Sequence, residues 1–151
     1  MQITEISLSD TELLLPLIEA YWRHDNIFGY ERSRLRRQLT EFLSEPSYGC
    51  GWLATRTRPE VAVGYLLCSF VYSFEHGGPM AEVDELYVDT PYRRQRIGQA
   101  LLGQARMDLA ARGCHYLQMQ VAEDNAPAQE FYAQQGFKKK TGYRLWLAPL
   151  P

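Results

Sequence analysis

Histidine and cysteine are scarce in this 151-residue chain, three of each, and neither type clusters. Cys50, Cys68 and Cys114 are odd in number and widely spaced, which excludes a disulfide framework and a zinc-ligand pattern. Each is expected to act as a small core hydrophobe. His24, His76 and His115 are equally scattered, so no metal site is expected. No window approaches the roughly 20 consecutive apolar residues of a membrane span. Residues 1–10 lack a basic stretch followed by an apolar run, so a cytoplasmic protein with no membrane partner is expected. Excess charge is also absent. The net charge is -2 and the pI about 5.9, which argues against a nucleic-acid partner, since such domains are usually basic. There is no internal repeat, linker or low-complexity tract.

What is present is an ordinary globular mixture, 46% apolar and 23% charged, of a length that suits one domain over residues 1–151. Residues 2–8 alternate imperfectly and read as a strand. Ser9 to Glu12 fits a capping box, and Leu13, Leu14, Leu17, Ile18, Tyr21 and Trp22 then follow helical spacing. Pro16 inside that pattern predicts a kink or a later start. After a loop at 26–30, a second helix over 31–43 carries Leu35, Leu39, Phe42 and Leu43 on one face. Arg32, Arg34, Arg36 and Arg37 lie on the other, read as a solvated surface. Residues 48–55 and 61–74 form a predicted hairpin, and the turn at His76-Gly77-Gly78-Pro79 leads to a strand over 81–88. A loop at 89–94, a helix over 97–112 stopped by Gly113, a strand over 115–121 and a helix over 126–135 ended by Gly136 follow. Two last strands are predicted at 137–140 and 143–148. The fold class is therefore mixed α/β: one central, mostly antiparallel sheet with a parallel β-α-β core and helices on both faces.

Two stretches carry chemistry. In Glu82-Val83-Asp84-Glu85-Leu86-Tyr87-Val88, three carboxylates lie in a strand expected to be central, where they are costly unless paired or functional. Simple alternation puts Glu82, Asp84, Leu86 and Val88 on one face and Glu85 and Tyr87 on the other. Like charges two apart on a face raise one another's pKa, which suits a general base. Pairing with arginines, or a position at the strand's wet end, would also explain them. The second stretch is Tyr92-Arg93-Arg94-Gln95-Arg96-Ile97-Gly98-Gln99, a basic loop entering a helix. Free N–H groups and the positive dipole end of a helix bind phosphate there, and arginines add charge-assisted bonds.

This second stretch resembles the acyl-CoA pyrophosphate loop of the GNAT superfamily of N-acetyltransferases, whose pattern is Gln/Arg-x-x-Gly-x-Gly/Ala. Set by the following leucines, Arg93 stands first, Arg96 at the first glycine and Gly98 at the second. Arg96 is a departure, costly if that position needs φ > 0. A shifted register from Gln95 to Gly98 and Ala100 satisfies the letters but misplaces the leucines. Independently, residues 121–137 resemble the family's Asn-x-x-Ala-x-x-x-Tyr-x-x-x-Gly-Phe pattern, through Asn125, Ala128, Tyr132, Gly136 and Phe137. The short run Gly142-Tyr143-Arg144-Leu145-Trp146 also resembles the polyamine acetyltransferase branch.

The resemblance implies a GNAT-like fold and an acyltransferase that moves an acetyl group from acetyl-CoA, used as co-substrate, to a primary amine. The mechanism is direct attack in a ternary complex. It implies that Leu86, Tyr87 and Val88 meet the pantetheine arm and that Arg93, Arg94, Gln95, Arg96, Ile97, Gly98 and Gln99 cradle the pyrophosphate. Asn125 and Ala128 would border the cofactor arm, and Tyr132 would stand near the thioester. The candidate base is Asp84, then Glu82, then Glu85, and Tyr132 is the candidate acid. The expected partner is a small cationic amine, met by segments around 21–30 and 73–78 that hold Trp22, Asp25, Phe28, Tyr30, Glu31, Phe74 and Glu75. Competing readings are a peptide lysine or N-terminal acetyltransferase, and a non-catalytic CoA-binding regulatory module. A homodimer is the default assembly.

Overall fold

The computed structural model of the protein describes residues 1–58, 60–142 and 147–150. They fall into two compact units, Met1–Met119 and Gln120–Pro151. In chain order the first unit contains β1 (Gln2–Glu5), α1 (Thr11–His24), α2 (Arg32–Ser44), β2 (Gly49–Thr57), β3 (Glu60–Ser73), β4 (Gly78–Val88), α3 (Ile97–Ala111) and β5 (Tyr116–Met119). Single 3₁₀ turns lie at Leu8–Asp10 and Thr90–Tyr92. The second unit contains α4 (Ala126–Gln134).

The five strands form one sheet in sequence order. Neighbours are antiparallel except β4 and β5, which run parallel on either side of α3. The mixed α/β class with a parallel β-α-β core is thus present. Helices cover both faces because strand side chains alternate. On one face Leu14, Leu15, Leu17 and Ile18 of α1 and Leu35 and Leu39 of α2 pack on Leu53, Tyr65, Leu67 and Tyr87. Trp52, next to Leu53, points the other way and donates its Nε1–H to Asp108 of α3 at 2.7 Å. Leu101, Leu102, Ala105 and Leu109 bury the inner face of α3. Gly64 lets β3 lie close under the end of β4, since a Cβ there would meet Tyr87 O at 2.8 Å.

Several expectations need correction. The first strand stops at Glu5 rather than residue 8, because the Asp10 carboxylate takes both the Ser7 N–H and the Ser7 hydroxyl at 2.8 Å and turns the chain. Helix α1 begins at Thr11 and runs through Pro16 without a later start. An interior proline costs about 3 kcal/mol, but Leu14, Leu15, Leu17 and Ile18 are all buried, each contributing about 1.5–3 kcal/mol. The strand before α4 is shorter than 115–121. Residues 137–140 do not form a strand. The Phe137 N–H closes the end of α4 on Tyr132 O at 3.0 Å instead, and the three lysines that follow offer no apolar face. The strand at 143–148 and the run Tyr143 to Trp146 lie largely or wholly outside the described residues. The arginine face of α2 is solvated as expected, with Arg32 and Arg36 both paired to Glu12. Cys50 and Cys68 are core residues. Burial pushes the Cys50 thiol up to about 12 and raises that of Cys68 as well, so neither is an effective nucleophile.

Candidate functional site

The decisive irregularity lies in β4. Leu67 pairs with Glu85, but Cys68 pairs with Val83, leaving Asp84 without a partner on β3. This is a β-bulge, and one extra residue reverses the facing of everything before it. Glu82 therefore shares the α1 side with Glu85 and Tyr87, not the side of Leu86 and Val88 as plain alternation gave. Gln118 of β5, paired with Glu82 in register, donates to its Oε2 at 2.8 Å.

The bulge also marks where the sheet opens. β4 pairs with β5 only over Met80 to Val83, so Asp84 to Val88 extend beyond β5. Asp89 donates its N–H to Val63 O at 2.9 Å. Strand hydrogen bonding alternates by residue, so the backbone groups of Leu86 and Val88 face the opposite, open edge. An extended amide chain can add to such an edge.

That edge leads through the turn at Thr90–Tyr92 to α3. Arg94 and Arg96 both have positive φ, 60° and 61°, and Arg96 is the N-cap of α3. The first backbone acceptance within α3 is Ala100 N–H to Arg96 O at 3.0 Å. The amides of Ile97, Gly98 and Gln99 precede it and point out of the helix end. Arg96 thus adopts the left-handed backbone its position demands, although the residue type departs from glycine. Relief of that geometry is worth about 1–2 kcal/mol, against about 0.4–1 kcal/mol of extra unfolded-chain entropy. Arg96→Gly is expected to stabilise the protein by about 0.5–1 kcal/mol, read as a higher denaturant midpoint at unchanged slope.

Arg94, Gln95, Arg96 and Gln99 are exposed. Arg93 differs. Its Nε donates to Val88 O at 2.9 Å, its NH1 meets His24 Nε2 at 3.1 Å, and its guanidinium lies 5.3 Å from the Tyr87 ring centre.

The carboxylates divide by environment. Trp22 Nε1 and the Tyr65 hydroxyl donate to the two oxygens of Glu85, at 2.8 and 2.6 Å. Burial raises the Glu85 pKa more than these donors lower it. With both oxygens engaged, Glu85 is better suited to a fixed charge than to collecting protons. Asp84 is raised by burial first and by the Glu82 charge second. It remains exposed on its outer side, so water moderates the shift and gives it access to a proton. Around Glu85, the Tyr21 hydroxyl is pushed up by burial, then by the charges of Asp25 and Glu85. Trp22 and Tyr30 stand edge to face at 6.1 Å, whereas Phe28 and Phe74 are exposed. Sequence reasoning missed Tyr65, which reads as plain strand, and His24. The only sequence signal for His24 was its neighbour Asp25, bonded to its Nδ1 at 2.7 Å.

In the second unit, Asn125 caps α4 by accepting the Ala128 N–H at 3.2 Å. Ala128 and Tyr132 lie one helical turn apart. The Tyr132 ring packs edge to face on Phe131 and Phe137. Gly136 ends the helix at φ 82°. Among the described residues no group of three or more His, Cys, Asp or Glu could hold a metal ion. None of their helices is long and apolar enough to cross a membrane.

The sequence model of the Acetyltransferase (GNAT) family matches residues 14–137. An N-acetyltransferase of Methanocaldococcus jannaschii, described as uncharacterized, is 32% identical over 87 residues. The match covers 56% of this chain and 38% of that relative, so the chain spans well under half the relative's length. Among solved structures, a probable acetyltransferase superposes with a TM-score of 0.87 at 21% identity, covering 100% of this chain and 99% of the other. An aminoglycoside acetyltransferase from an uncultured soil metagenomic sample, in complex with sisomicin, gives 0.81 at 17%, covering 99% and 96%. AAC(6')-Iy, in complex with a bisubstrate analog built on CoA, gives 0.83 at 15%, covering 99% and 98%. At these identities the structural likeness is one of fold.

Proposed function

The chain belongs to the GNAT acetyltransferase family, and on that premise we propose that it transfers an acetyl group from acetyl-CoA to the primary amine of a small cationic molecule. The observation that carries this reading is the open edge of β4 beyond β5, continuous through a basic loop with the free N-terminus of α3. The pantetheine arm adds to the edge at Leu86 and Val88, and the loop that follows Arg93, from Arg94 to Gln99, meets the pyrophosphate. The family resemblance assigns Asn125 and Ala128 to the same arm. The solved aminoglycoside acetyltransferases of like fold support a small amine acceptor. So do the acids and aromatics around Glu85, Asp25 and Trp22, which suit a cation.

An alkylammonium has a pKa near that of lysine, about 10.4, and must lose a proton before attack. Asp84 takes that proton, directly or through water, while Glu85 supplies a fixed negative charge. The neutral nitrogen then bonds to the thioester carbon. A backbone N–H on the open edge of β4 stabilises the oxyanion. Collapse breaks the C–S bond, the nitrogen sheds its second proton to water, and Tyr132, in the role the family resemblance gives it, protonates the departing thiolate.

Turnover of acetyl-CoA against amines, polyamines, aminoglycosides and peptides tests the reading, and release of CoA with none of them would sink it. The cofactor half has its own test. Gly98→Glu sets a carboxylate against the phosphates, and like-charge juxtaposition is costly. Its CoA affinity is expected to fall about 30-fold, or about 2 kcal/mol, by calorimetry on the folded variant.

A further inference from the structure

We propose that Arg93 and His24 form a strut that positions the phosphate-binding loop, and that Arg93 does not itself bind phosphate. The inference rests on the acetyl-CoA reading and refines it. Arg93 opens the basic loop, where charge alone would enrol it with Arg94 and Arg96. Its side chain is instead committed backwards on three sides: to Val88 O at 2.9 Å, to His24 Nε2 at 3.1 Å and over the Tyr87 ring at 5.3 Å. Arg94 and Arg96 are exposed and have no such commitments on β4 or α1.

The partner that makes this a strut is His24. A guanidinium can only donate, so the facing Nε2 must accept, and the ring proton sits on Nδ1, bonded to the Asp25 carboxylate at 2.7 Å. Asp25 thereby fixes the tautomer and aims the ring. The ring also stands edge to face against Tyr87, 6.4 Å away. His24 is the last residue of α1, Val88 the last of β4, and Arg93 lies one turn before α3. One guanidinium thus ties the open edge, where an extended arm can lie, to the segment that aims the amides of Ile97, Gly98 and Gln99. Its work is to hold the spacing between these two subsites, and binding energy from both is collected only if that spacing is preserved.

The test compares CoA affinity by calorimetry in His24→Leu, His24→Gln, Arg93→Met, Arg93→Lys and the His24→Leu/Arg93→Met double variant. His24→Leu, which removes the acceptor for Arg93 and no arginine charge, is expected to weaken CoA about tenfold, the value of one charge-assisted hydrogen bond. His24→Gln keeps an acceptor and stays near the parent. Arg93→Lys does not rescue, because a single ammonium cannot reproduce the planar fork and the ring contact. The double variant is no worse than Arg93→Met, as two ends of one strut require. Salt dependence of CoA binding is unchanged in His24→Leu and reduced in Arg94→Gln. Without any ligand, amide exchange from Arg93 to Ile97 is expected to quicken in His24→Leu. A silent His24→Leu in both measurements, or a rescuing Arg93→Lys with additive losses, overturns the strut. A parent protein that binds no CoA would overturn the acetyl-CoA reading instead, while the exchange experiment still decides the strut.

Discussion

Tyr132→Phe is expected to lower kcat about 10²–10⁴-fold, the usual worth of general acid catalysis, with little change in KM. The variant removes one hydroxyl and almost no volume, and the ring contacts to Phe131 and Phe137 need only the ring. The phenol suits the task because its pKa lies only about 1.5 units above that of a thiol, so proton transfer to CoA thiolate is nearly balanced and solvent restores the phenol. A merely structural tyrosine predicts a different outcome: about 1 kcal/mol of stability lost with one hydrogen bond, and turnover intact. Measuring kcat and Tm on the same preparation separates the two. A full-rate, slightly less stable variant removes Tyr132 from the mechanism.

Asp84→Asn is expected to be slower and more stable at once. As the base, its loss should cost about 10²–10⁴-fold in kcat/KM and abolish the acidic limb of the pH profile, while CoA affinity barely changes. The stability effect follows from the raised pKa. Burial and Glu82 make folded Asp84 hold its proton to higher pH than the unfolded chain does. Between the two pKa values the folded state binds more protons, so stability falls as pH rises through the folded value. Asparagine cannot ionise and escapes that loss. The variant should therefore melt above the parent at pH 7, and the advantage should vanish at pH 3. Equal melting at pH 7 with a normal pH–rate profile would return Asp84 to an ordinary solvated carboxylate and pass the role to Glu82.

The sequence alone reached the β-α-β core and the helix ends at Asn125, Gly113 and Gly136. The reason is that these signals are local. Capping, left-handed glycine and helical spacing are properties of a few consecutive residues. Arg96 illustrates the strength of position over type: the loop imposes φ 61° on an arginine. The assignments that failed were those needing a partner. Residues 137–140 could form a strand only if some neighbour accepted them, and the Phe137 N–H was already taken by α4.

The tertiary structure alone decided how each carboxylate is placed and what it is bonded to. Period-two counting set Glu82 beside Leu86. The bulge at Asp84 turned it to the α1 side, and a bulge is visible only in the register between β3 and β4. Glu85 was separated from Asp84 by donors 63 and 20 residues away in the chain, Trp22 and Tyr65. Arg93 was drawn off the basic loop by His24, 69 residues distant. A sequence can state that charges are near one another along the chain. Their roles depend on desolvation and on hydrogen-bond partners brought from elsewhere, and only the folded packing of α1 against β4 supplies those.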